Sequence, residues 1–165
     1  MSAESTPRWR LEDKLSRLPL RVFVPGHLSS IAPVLQSLMD AVRDTHFGAG
    51  REFELETVLR EAIANAVVHG CNNDPSKVVE CALSSSESGR VSIVVGDPGP
   101  GFDPESVPNP VEADNVYSTH GRGIYLIKQF VDDVWFERGG SEIHMVLKQV
   151  NGSAGGEREV EGADV

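Results

Sequence analysis

"EAIANAVVHG", Glu61 to Gly70, reads as a helix. Ala62, Ile63, Ala66 and Val67 recur at helical spacing, and Gly70 is a natural stop. Yet Glu61 and Asn65 stand four residues apart inside this apolar helix. That spacing puts both side chains on one face, roughly 6 Å apart along the axis. His69 continues the row one turn later. A carboxylate and an amide in line suit a polar ligand. A solvated stripe on an amphipathic helix is the plainer reading. For His69 the plain reading is a helix-end histidine bonded to backbone, the other a supporting or partner contact.

Outward from this stretch, the helix starts near Glu52 and runs to Val68, with Phe53, Leu55, Val58 and Leu59 adding to its apolar face. Before it, "SSIAPVLQSLMDAVRD" (Ser29–Asp44) reads as a helix capped by Ser29 or Ser30. Pro33 is tolerated in its first turn, and Ile31, Val34, Leu35, Leu38 and Val42 face inward. "PLRVFVPG" (Pro19–Gly26) is a strand ended by a Pro-Gly turn. After the helix, "KVVECALSS" and "RVSIVVGD" form a hairpin through "SESG". Val91–Val95 is almost wholly apolar and β-branched, so that strand is expected at the centre of a sheet.

"PGPGFDPESVPNPVEADNVYSTHG" follows, a Pro- and Gly-rich loop of a length that belongs to lids or disordered segments. "GIYLIKQFVDDV" (Gly123–Val134) returns to helix with Ile124, Ile127, Phe130 and Val131 inward, and "VWFERGGSEIHMVLKQV" is a hairpin turned at Gly139–Gly140. The order strand, two helices, two strands, lid, helix, two strands predicts an α+β fold, a two-layer α/β sandwich. Residues 1–16 are expected to be a flexible tail, 17–150 the domain, and 151–165 a disordered Gly- and Glu-rich tail.

Composition narrows the function classes. The 165 residues suit one domain with a real core, and their make-up is that of a soluble globular protein. The net charge of −10 argues against a general nucleic-acid binder, which needs a basic face to neutralise phosphates. Cys71 and Cys81 are the only cysteines, with no zinc-like spacing, and read as reduced structural thiols. The N-terminus lacks the apolar core of a signal peptide and no run is long enough to span a membrane, so a cytoplasmic location is expected.

Three segments are equipped for chemistry. Glu61 and Asn65 suit metal–phosphate work: Asn offers Mg²⁺ a neutral oxygen, and Glu orients or deprotonates a hydroxyl. In "GDPGPGF" (Gly96–Phe102), Asp97 leaves a buried strand where its carboxylate can accept from an exocyclic amine such as that of adenine. Gly99 and Gly101 let the chain pass close to a ligand; the plain reading is an Asp-Pro-Gly turn. In "HGRG" (His120–Gly123), a helix N-terminus with glycines at 121 and 123 and the charge of Arg122 forms an anion site, against the bland reading of a flexible helix start. No Walker A loop or Rossmann fingerprint occurs.

These residues carry a resemblance. "EAIANAVVHG" resembles the N box, "DPGPGF" the first glycine box and "GRGIYLIKQFVDDV" the second glycine box of the GHKL, or histidine-kinase-like, ATPase superfamily. The short lid and the last box look most like RsbW-like anti-sigma-factor serine/threonine-protein kinases, over roughly Leu20 to Lys148. The resemblance implies a Bergerat fold with a mixed, mainly antiparallel sheet, helices on one face, and ATP with Mg²⁺ between helices and lid. By motif position Glu61 is then the catalytic base and Asn65 the Mg²⁺ ligand. Asp97 binds the adenine amine, Gly99 and Gly101 shape its side of the pocket, and Gly121, Arg122 and Gly123 lie beside the phosphates. It further implies a STAS-domain anti-anti-sigma protein as substrate, a sigma factor as second partner, and a homodimer. The lid departs from the pattern in having no obvious lysine for the phosphates, and His120 stands where several relatives carry Gly or Ser.

A non-catalytic, nucleotide-dependent binding module fits the same residues. A histidine-kinase fragment does not, because the segment before the N box holds one strand and one helix and leaves no room for a phosphoacceptor hairpin. A stand-alone ATPase would lack a transducer domain to use the energy.

Overall fold

Alternation of apolar and polar residues builds five strands, β1 (Leu20–Pro25), β2 (Val78–Ser85), β3 (Val91–Gly96), β4 (Asp133–Glu137) and β5 (Glu142–Leu147), in a computed structural model that describes residues 20–46, 48–106 and 122–149. The strands form one sheet in the order β1-β2-β3-β5-β4, so β3 takes the centre, as its composition demands. Each hydrogen-bonded pair is antiparallel, which corrects the expectation of a mixed sheet. Two helices between β1 and β2 bring the chain back to the end it left, so β2 must reverse. Between β3 and β4 one α-helix intervenes among the described residues, and the β4–β5 hairpin folds back so that β5 separates them.

Three α-helices cover one face: α1 (Ile31–Thr45), α2 (Glu52–Asn65) and α3 (Arg122–Phe130). Leu35, Leu38 and Val42 of α1 and Leu55, Val58, Leu59, Ala62 and Ile63 of α2 are buried against Val79, Cys81, Leu83, Val91, Ile93, Val95, Ile143, Met145 and Leu147. The expected α1 stripe gains Met39, while Ile31 and Val34 sit at its margin.

Several local expectations are corrected. Neither Ser29 nor Ser30 caps α1 with its side chain. Instead His27 Nδ1 accepts the Ser29 amide at 3.2 Å and caps a short 3₁₀ turn, Leu28–Ser30, that leads into the helix. α3 stops at Phe130 rather than Val134, because the Asp132 amide donates to the Val146 carbonyl at 2.8 Å and draws the chain into β4. Phe53 is 72% exposed instead of inward, with its ring edge-to-face on Phe130 at 6.0 Å.

Arg51, just before α2, clasps three elements. Its Nη1 reaches Asp132 Oδ2 at 2.6 Å and the Lys148 carbonyl at 3.0 Å, and its Nη2 reaches the Phe130 carbonyl at 2.7 Å. The Lys148 amide donates to the same Asp132 oxygen at 2.7 Å. Cys71 and Cys81 are free thiols in the core, as expected. Burial pushes the Cys81 thiol up to about 12; burial and then the negative charge of Asp97 raise that of Cys71. Among the described residues, no helix is long and apolar enough to cross a membrane.

Candidate functional site

The site is built on α2 and its continuation. Past Asn65 the helix widens into one π turn, Ala66–Gly70, with the Cys71 amide donating to Ala66 O at 2.8 Å and that of Asn73 to Val67 O at 3.0 Å. Such turns are frequent at functional sites. Glu61 and Asn65, partly buried, lie ahead of it; His69, within it, is exposed.

α3 meets this row at Gly123. A methyl group there would stand 2.9 Å from Glu61 Oε2 and 3.0 and 3.2 Å from Asn65 Nδ2 and Oδ1. Only a glycine lets the start of α3 approach the carboxylate and the amide this closely. Arg122 opens α3 and is exposed. His120 and Gly121 lie outside the described residues.

Asp97 reaches the far end of the same helix. Its carboxyl packs on Gly70, where a β-carbon would overlap it. Gly99 packs on Gly70 as well: a β-carbon would fall 2.5 Å from the Gly70 carbonyl oxygen and 2.8 Å from Asp97 Oδ1. The Gly99 amide donates to Asp97 Oδ1 at 2.8 Å. Burial raises the Asp97 carboxyl above its ordinary value, while the Gly99 N–H and the charge of Arg138 pull it back. A carboxylate so placed is a strong acceptor for an N–H that arrives with a ligand.

Gly101 goes elsewhere. At φ +73° it lies against the Gly139 carbonyl in the β4–β5 turn, and a β-carbon there would collide with that backbone. The Phe102 amide donates to Gly139 O and the Asp97 amide to Ser141 O, both at 3.0 Å, and the Phe102 ring meets Phe136 edge-on at 5.3 Å. The glycine loop is thus stitched to the last hairpin. Sequence reading took Gly70 as a helix stop and Gly139–Gly140 as a plain turn; their roles as seats for Asp97 and Gly101 carry no signal short of the fold.

The helix end of one box therefore seats the carboxylate of the second and faces the glycine of the third. A family model for the histidine kinase-like ATPase domain matches residues 24–147. The chain belongs to that family. An ATPase domain implies nucleotide binding, and the three boxes lie within the matched range.

Within the family the likeness is to the RsbW-like anti-sigma group. The chain is 35% identical over 86 residues to an anti-sigma F factor of Geobacillus stearothermophilus, covering 51% of this chain and 58% of that one. It is 32% identical over 121 residues to an anti-sigma F factor of Anoxybacillus flavithermus, 69% of each. In the first of these the matched stretch spans little more than half of the relative's length. A crystal structure of the RsbU and RsbW domains of a Mycobacterium tuberculosis protein superposes with a TM-score of 0.51 at 15% identity, over 81% of this chain and 32% of that one, a likeness of fold.

Proposed function

We propose that this histidine kinase-like ATPase domain is a serine/threonine-protein kinase of the partner-switching kind. It binds ATP with Mg²⁺, phosphorylates a small STAS-domain anti-anti-sigma protein and sequesters a sigma factor. The observation that carries this reading is the meeting of Glu61 and Asn65 with Gly123 on one side of the helix end and of Asp97 with Gly70 on the other.

In this reading Asp97 accepts from the exocyclic amine of adenine, with Gly99 and Gly101 holding its loop. Gly121, Arg122 and Gly123 place backbone N–H groups and a positive side chain beside the phosphates, where the dipole of α3 favours negative charge. The donor set fits Mg²⁺: the Asn65 side chain, with its neutral oxygen, stands beside the Glu61 carboxylate, and an ion that keeps most of its waters needs few protein oxygens. Mg²⁺, when bound there, neutralises phosphate charge. Glu61 orients the substrate hydroxyl and takes its proton; positioning and charge do the rest.

The sequestration of a sigma factor, the homodimer, the cytoplasmic location and the boundaries at residues 17 and 150 belong to the same proposal, supported by the family likeness. Its test is transfer of labelled γ-phosphate from Mg·ATP into soluble extract of the source cell, by wild type and Glu61→Gln in parallel. The expected result is one small protein labelled by wild type alone, with ATP bound equally by both. Equal labelling by the variant removes Glu61 from its role. ATP binding with no labelled band assigns the domain to a nucleotide-dependent, non-catalytic regulator.

A further inference from the structure

The face of the sheet away from the helices carries a cluster that the nucleotide reading does not use. Glu137, at the end of β4, stands directly across the ladder from Glu142, at the start of β5. Like charges in that register repel. His144, two residues on, is paired across from Trp135, and the two rings stack at 5.0 Å and 17°. Its side chain is 8% exposed, and its Nε2 lies 2.7 Å from Glu142 Oε1 and 3.3 Å from Glu137 Oε2. One ligand atom from each of the three residues falls within 4.8 Å of the others.

We propose that Glu137, Glu142 and His144 bind a divalent transition-metal ion of the zinc class. Two carboxylates converge on a nitrogen that carries at most one proton, so a proton there serves both poorly. A dication bound to all three would relieve the Glu–Glu repulsion and use every donor. Ligands on a tetrahedral zinc at 2.0–2.1 Å sit about 3.3 Å apart; the Glu137–His144 spacing matches, and the shorter Glu142–His144 contact would open to admit the ion. The outer oxygens are already anchored: Trp135 Nε1 donates to Glu137 Oε1 at 3.0 Å, and Arg138 Nη1 lies 3.3 Å from Glu142 Oε2. Such outer partners hold metal ligands in place. The imidazole selects zinc-like ions over Mg²⁺, which prefers an all-oxygen shell. Glu142 and Arg138 also line a groove of about 370 Å³, so the Glu142 edge of the cluster opens on it.

The test reads metal binding alone, so its outcome does not depend on the proposed kinase reaction. ZnCl₂ is titrated calorimetrically into chelator-treated full-length protein, and Trp135 fluorescence is followed in parallel. Wild type is expected to bind one equivalent at this site, undisturbed by excess Mg²⁺. His144→Gln and Glu142→Gln are expected to bind at least about tenfold more weakly, while His69→Gln is unchanged. Glu137 is the most exposed of the three, so Glu137→Gln, with its fold checked by circular dichroism, repeats the test should a buried variant misfold. Absence of saturable Zn²⁺ binding by wild type, or equal affinity in wild type and the cluster variants, overturns the site and leaves a hydrogen-bonded cluster of His144 with the two carboxylates.

Discussion

Gly123 separates stability from function at a single residue. In Gly123→Ala the atoms nearest the new methyl are the tips of Glu61 and Asn65, which can swing aside, and alanine favours the helix by up to about 1 kcal/mol. The melting temperature is expected to hold or rise. Phosphoryl transfer is expected to fall on the order of a hundredfold, because the displaced groups no longer meet the ligand in register. A thermal melt beside a single-turnover assay checks both. Asp97 couples the two quantities in the opposite sense. Its folded pKa lies above the ordinary 3.8, so its ionised form costs stability above that raised value, and the cost is relieved as pH falls through it. On the proposed function ATP binding uses the carboxylate and is expected to weaken over the same descent. Asp97→Asn is expected to be at least as stable, to bind ATP about 1.5–3 kcal/mol more weakly and to lose this pH dependence in an ATP titration from neutral pH downward. Glu61, Asn65, Asp97 and Gly123 were legible as candidates because the sequence sets polar groups into an apolar helix, a carboxylate after a buried strand and a glycine at a helix start. Gly70 was not, since its partner lies 27 positions away in the chain and is found only once β3 is placed in the sheet.

At the scale of elements, periodicity was a good guide to which segments are helix or strand and a poor one to where they stop. The apolar run after Gly123 reads as helix through Val134, yet an amide–carbonyl bond to β5 ends it at Phe130. The π turn after Asn65 leaves no mark in hydrophobic spacing either. Arg51 had no motif; its guanidinium matters because the starts and ends of three elements meet there. Arg51→Met is expected to take this donor from the Phe130 and Lys148 carbonyls, to leave Asp132 with the Lys148 amide alone, and to destabilise the domain by about 3 kcal/mol. A urea titration with unchanged slope and a lower midpoint checks this. Burial raises the Asp132 carboxyl, but the Lys148 amide and Arg51 outweigh it and hold it below the ordinary value. Its contribution is therefore present at neutral pH and lost in acid as pH falls through that lowered value.

For the whole molecule, ligand and fold are linked, because the site draws on α2, α3 and the loop after β3. A nucleotide held by all three stabilises them together. At a hundredfold excess over Kd, ATP with Mg²⁺ is expected to add about 2.7 kcal/mol, read as a higher melting temperature that Asp97→Asn largely lacks. The architecture was legible in the order of its elements, but the wholly antiparallel pairing and the hairpin grip on Gly101 came from long-range contacts with no local signature. The two core thiols make the same fold its own chemical clock. Cys71 and Cys81 are sealed and held in the unreactive S–H form. An alkylating reagent should therefore leave the native chain unmodified and mark both sulfurs once the core opens. The pace of labelling, followed by mass with and without nucleotide, then counts openings of this domain in a mixture where no other property of it can be followed.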